Sequence, residues 1–250
     1  RHKLHKLLVK FVKVDEKIMR LGVKLNYRQH FIFTSIAVSI YAAGFFFIFA
    51  VTIISNQTIL HKPEFQINMD LELLIFGGTL ISAFSASTSI GMFCMIVLGV
   101  RERCKALNLI LSRKNAKILH VARVNLDLNE IVSLINDIFG FMIANFAGTI
   151  LVSMIFLAFQ LFVVVSRGGS DFNSIFISFI WNFLMIAQIF LVVACCTKAE
   201  NEGKLIREIL QDELNRDVSE KNKVKIFILQ LKHLNMKFSC GYFDFDWKMI

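Results

Sequence analysis

The chain has 250 residues, of which 56% are hydrophobic and 19% charged, with 26 Phe, one Pro and a mean hydropathy of +0.60. An ordinary water-soluble domain carries more charge than this and does not need so many apolar residues. The net charge of +9 comes from Lys and Arg that flank long apolar runs, so it reads as a topology signal and argues against a nucleic-acid partner.

Residues 1–30 open the chain with a basic amphipathic pattern. Over 3–26, Leu4, Leu7, Leu8, Phe11, Val12, Ile18 and Met19 recur at helical spacing, with Lys6, Lys10, Lys13 and Lys17 on other faces. Such a helix either lies on an anionic leaflet or packs against other segments on the same side of the membrane. The first residue is Arg rather than Met, so the expectation is that the natural start lies upstream or was processed away.

Four apolar blocks follow, each long enough for the ~20 helical residues that cross a bilayer. The first, 31–54, carries no charge. After a loop at 55–70 comes the second, 71–100, charged only at Glu72. Its Gly77, Gly78, Ser82, Ala83, Ser85, Ala86, Ser87, Ser89 and Gly91 would let helices approach closely, which predicts a central place in a bundle. The segment 101–138 shows helical apolar stripes, among them Leu107, Ile110 and Leu111, then Ile131, Leu134, Ile135 and Ile138. The third block, 139–165, and the fourth, 174–196, are charge-free and separated by a short loop at 166–173. In 197–250, Leu205, Ile206, Ile209, Leu210 and Leu214 form a further stripe, Glu200 and Lys204 are spaced to pair across a turn, and "VKIFILQLKHLNMKF" is apolar enough to be buried. The expected fold class is all-α: a polytopic transmembrane helical bundle with cytoplasmic helical extensions.

Orientation follows from Lys and Arg. The segments 1–30, 101–138 and 197–250 hold 26 of them, against 2 in the loops 55–70 and 166–173. The positive-inside rule puts both ends in the cytoplasm of a multi-pass plasma-membrane protein. The one glycosylation sequon, Asn56-Gln57-Thr58, falls in an outside loop, making Asn56 a candidate acceptor. Cys94, Cys104, Cys195, Cys196 and Cys240 all fall on or near the inner side, away from a disulfide-forming compartment. Cys195 and Cys196 are candidates for palmitoylation; the other reading is a set of reduced structural thiols.

Marks of an enzyme are missing. The six His are scattered, His2 and His5 have no acidic or Cys partner for a metal site, and neither a phosphate-binding glycine loop nor a nucleophile elbow occurs. No cofactor or metal is called for. An ion-coupled transporter usually needs an ionisable group at membrane depth or a pair of broken helices, and three charge-free spans with one loop proline, Pro63, supply neither. A small-molecule transporter remains the alternative class. The outer halves of the spans hold aromatic residues and a few uncharged hydrogen-bonders, a mix suited to a small organic ligand. The candidate ligand-binding residues are Tyr41, Phe45, Phe159, Gln160, Trp181 and Asn182; the other reading is lipid-facing Phe with an interfacial Trp belt. Gln160 and Asn182 weigh most, because an amide in lipid must face protein or a watery cavity.

The final stretch, "LKHLNMKFSCGYFDFDWKMI", resembles the approach to the last helix of insect gustatory receptors. The resemblance rests on Phe238-Ser-Cys-Gly-Tyr-Phe243 and on the order of spans and cytoplasmic segments, and makes the four spans here the third to sixth of seven. It implies a tetrameric, ligand-gated, non-selective cation channel, homomeric or heteromeric, whose ligand is a small-molecule tastant and whose surroundings are membrane lipid. The family's Thr-Tyr … Gln-Phe hallmark belongs to a seventh, pore-lining helix, so the expectation is that "CGYFDFDWKMI" leads into such a helix beyond Ile250. The related odorant receptors share the architecture and are the nearest alternative.

Overall fold

The computed structural model describes residues 2–25, 69–113, 118–167, 172–216, 236–240 and 244–245, with further helical positions at Ile32, Ile36, Ser39, Ala43 and Gly44. Among the described residues four helices run in chain order: α1 (His2–Arg20), α2 (Met69–Leu111), α3 (Ile118–Arg167) and α4 (Phe172–Arg216). Among the described residues there is no strand, only an isolated antiparallel bridge between Ser239 and Asp244. The all-α expectation holds.

Among the described residues three helices are long and apolar enough to cross a membrane, over Phe84–Leu111, Ile118–Ser166 and Ser178–Asp212. The predicted span 31–54 lies mostly outside the described residues. No proline interrupts α2, α3 or α4, which have 43, 50 and 45 residues. At 1.5 Å per residue they are about 64, 75 and 68 Å long, roughly twice a ~30 Å hydrocarbon core. Each therefore continues as helix well beyond a bilayer, as the apolar stripes outside the predicted spans require.

The chain divides into two compact units, one of residues 1–28, 93–144 and 191–250, the other of 29–92 and 145–190. In the first, α1 buries Leu7, Phe11, Val14 and Ile18, an i, i+4, i+7, i+11 stripe that makes one helix face. The helix ends at Gly22, whose φ of +84° is the left-handed conformation that caps helices, with the Gly22 N–H donating to Met19 O at 2.9 Å. Lys3, Lys10 and Lys17, seven residues apart, pair with Asp137, Glu130 and Asp127. The falling partner numbers mean that α1 runs antiparallel to α3. Of the two sequence readings of this helix, packing against neighbours is the one observed.

A buried ion pair fixes α1 to α2. Asp15 accepts from Arg103 Nε and Nη2, both at 2.7 Å, Arg103 Nη1 donates to Gly99 O, and the guanidinium lies 4.3 Å from the Phe11 ring centroid. A bidentate pair backed by an aromatic face satisfies most donors of a charge that burial would otherwise penalise. The apolar pattern also includes Leu8, Val12 and Met19, yet all three are exposed, because helical periodicity puts them on a different face from Leu7, Phe11, Val14 and Ile18.

Residues 236–240 and 244–245 strap this unit together. Phe238 and Phe245 are fully buried, the Phe245 N–H donates to Phe238 O at 2.8 Å, and the Phe93 ring packs against those of Phe139 and Phe245. Asn136 holds the strap from α3, donating to Lys237 O and accepting from the Ser239 N–H. Glu200 holds it from α4, accepting the Phe238 N–H at 3.0 Å. The carboxylate that sequence spacing directs to Lys204 thus serves an otherwise unpaired backbone donor. Two glycines make room: a Cβ on Gly140 would stand 2.9 Å from Cys240 Cα, and one on Gly203 would stand 3.0 Å from Met236 Sδ.

Candidate functional site

The second unit holds the predicted ligand-contact residues that are described: Phe159, Gln160, Trp181 and Asn182. Tyr41, Phe45 and Asn56 lie outside the described residues. Trp181 and Asn182 ride on α4, Phe159 and Gln160 on α3. Because these helices carry no proline and the flanking residues are apolar, each side chain's direction is set by helical phase alone.

Phase separates them. Phe159 is 62% exposed, Trp181 and Gln160 are half-buried, and Asn182 is 6% exposed. Asn182 Nδ2 donates to Ser178 O at 2.9 Å, one turn back on its own helix. Its Oδ1 is buried and finds no donor among the described residues, and the same holds for Gln160 Oε1. With both acceptor oxygens unmet, no hydrogen bond joins the two amides. A buried carbonyl without a donor costs about 1–3 kcal/mol, so each is a place where a bound molecule or a water would be stabilised.

A further amide in a charge-free span carries the same signal. Gln188 on α4 donates from Nε2 to Ser87 Oγ on α2 at 3.1 Å, and both side chains are buried. The signal that marks Gln160 and Asn182, an amide in a charge-free span, marks Gln188 equally. Of the small residues on α2, Ser87 makes this contact. Thr88 and Ser89 instead donate back to Phe84 O and Ser85 O, a local pattern that leaves them on their own helix. At Gly78 and Gly91 an added Cβ would meet nothing within 4 Å, so the close approach expected of the small-residue stretch is not made at these glycines.

The arrangement offers uncharged acceptors and aromatic rings, suited to binding rather than to bond-making. Among the described residues no group of three His, Cys, Asp or Glu could hold a metal ion. The palmitoylation candidates Cys195 and Cys196 are 5% and 0% exposed, so acylation would require either sulfur to leave its packing.

Comparison with known proteins is consistent with a ligand-binding role. No curated protein matches the chain. The family model described as 7tm Chemosensory receptor matches residues 1–250, the whole of the sequence. With three helices long and apolar enough to cross a membrane and a match of this extent, the chain belongs to the 7tm chemosensory receptor family.

Proposed function

We propose that the chain is a gustatory-type chemoreceptor subunit that, assembled as a tetramer in the plasma membrane, gates a non-selective cation channel when a small neutral tastant binds. Family membership supports the receptor class, which is not one of enzymes. The Phe238-Ser-Cys-Gly-Tyr-Phe243 approach supports gustatory over odorant. The distribution of 26 Lys and Arg against 2 supports cytoplasmic segments at 1–30, 101–138 and 197–250.

Asn182 carries the ligand part of this reading. Its buried Oδ1, lacking a donor among the described residues, sits on a span without charge, so the complementary ligand is a neutral molecule with a hydroxyl or amide donor. Gating follows if that donor reaches Asn182 better in the open arrangement than in the closed one, since a ligand shifts an equilibrium only by its differential affinity.

The test expresses the complete open reading frame and records currents across a panel of sugars and bitter compounds. Asn182→Ala and Gln160→Ala should raise the half-maximal concentration about tenfold, the equivalent of ~1.4 kcal/mol, with surface expression little changed. Lost expression with unchanged sensitivity in the remaining receptors would make them packing residues. Saturable uptake without ligand-evoked current would replace the channel with a transporter.

A further inference from the structure

Two exposed stripes in the first unit complement each other in charge. On α1, Leu8, Val12 and Met19 recur at i, i+4 and i+11, so they share a face, and each is more than half exposed. Val9 widens this stripe, and Lys13 and Arg20 outnumber Glu16 along its edge. On α4, Leu205 is 44% exposed, with Glu208 and Asp212 exposed beside it and Lys204 one turn nearer the membrane. Among the described residues Lys13, Arg20, Glu208 and Asp212 form no ion pair. A leaflet cannot cover the α1 stripe. The pairs Lys3–Asp137, Lys10–Glu130 and Lys17–Asp127 stand α1 alongside the continuation of α3 below the third apolar block. On the proposed topology α1 therefore runs away from the bilayer, and only its first turn is near it. The continuation of α4 runs away from the bilayer too, so the two helices are parallel, and their stripes lie at one depth. Val12 and Lys13 fall between the Glu130 and Asp127 contacts, 9 to 12 residues inward of 139, while Leu205 and Glu208 are 9 and 12 residues inward of 196. At 1.5 Å per residue both sets are about 14–18 Å below the ends of the spans.

We propose that these stripes are the two halves of a contact between copies of this chain, α1 of one subunit docking in parallel on α4 of the next. Val12 meets Leu205, Lys13 meets Glu208 and Arg20 meets Asp212. Apolar side chains leaving water supply the attraction, and the charges fix the register and the partner. A stripe set against its own copy is the poorer contact. Subunits that share one membrane hold their α1 helices parallel, which would bring Lys13 to Lys13 and Arg20 to Arg20, and like charges across an interface repel. Contacts between unlike faces are heterologous, and heterologous contacts close into rings. This contact rests on the tetrameric reading above and supplies its surface, with no need of ligand or current.

The test co-expresses two differently tagged copies of the complete receptor, one carrying Val12→Cys and the other Leu205→Cys, and treats the membranes with a short bismaleimide. A linked dimer bearing both tags should appear, and neither variant expressed alone should exceed the wild-type background. Linkage among Val12→Cys copies alone, or no linked dimer from receptors that run as tetramers on native gels, would overturn the contact. Receptors that run as monomers would overturn the tetramer as well, which separates the two readings. Charge reversal at exposed positions gives a second readout. Lys13→Glu and Glu208→Lys should each lower the tetramer fraction roughly threefold, since reversal turns an attraction into a repulsion. The two together in one chain should restore it, and a double variant as poor as the singles would refute the pairing.

Discussion

In the first unit charges find partners and apolar side chains turn inward, with Leu7, Leu107, Leu128 and Leu210 among those fully buried. In the second, large apolar side chains crowd the outside, Ile81, Ile155, Phe156, Phe162 and Val165 among them, while Ser87, Asn182 and Gln188 are buried. On the proposed topology the difference is one of solvent. Where water surrounds a helix, burying apolar area is the main stabilisation. Where lipid does, apolar side chains lose nothing outside, and packing and interhelical hydrogen bonds hold the helices together. On that topology one chain carries both rules, the first unit held mainly by apolar burial and ion pairs and the second with its polar side chains turned inward.

That contrast can be broken most sharply at Asp15. Asp15→Ala strands the Arg103 guanidinium in the first unit, and loss of one partner of a buried pair costs about 3–5 kcal/mol. The expected outcome is a large fall in surface expression and in the melting temperature of the detergent-purified receptor. The double variant Asp15→Ala/Arg103→Met should recover much of the loss, since it leaves no charge unpaired; equal damage from the single and double variants would refute the ion pair's role.

A smaller effect separates glycines. Gly140→Ala drives a methyl to 2.9 Å from the strap's backbone at Cys240, and such overpacking costs about 1–3 kcal/mol. Gly91→Ala, with open space around it, should change stability by no more than about 0.5 kcal/mol. Parallel thermal melts of the two variants would measure the difference, and equal shifts would mean that the strap does not cross α3 so closely.

The smallest expected effect tests the second unit's own rule. Gln188→Leu removes the hydrogen bond to Ser87, and bonds of this kind in membranes average about 0.6 kcal/mol. Melts in matched detergent or nanodisc preparations should show a loss of that order. A loss several times larger would mean that Gln188 holds more than its Ser87 contact.

Much of this was readable from residues. Long apolar runs between basic segments pointed to the helices α2, α3 and α4, because a backbone in lipid has to satisfy its own hydrogen bonds. The amides of Gln160 and Asn182 were visible as rare polar groups in apolar runs. Which of them is buried was not, because helical phase relative to neighbours is a property of packing: Gln160 is half-buried while Asn182 is enclosed.

By itself, then, the sequence determined the class of solvent and the secondary structure, since both follow from local composition summed over 20 or so residues. Tertiary structure alone decided that Asp15 would be buried and Leu8 exposed, that Glu200 would serve the Phe238 N–H, and that Gln188 would meet Ser87. These are pairings between residues far apart in the chain. No local pattern carries them, because each depends on which helix faces arrive together.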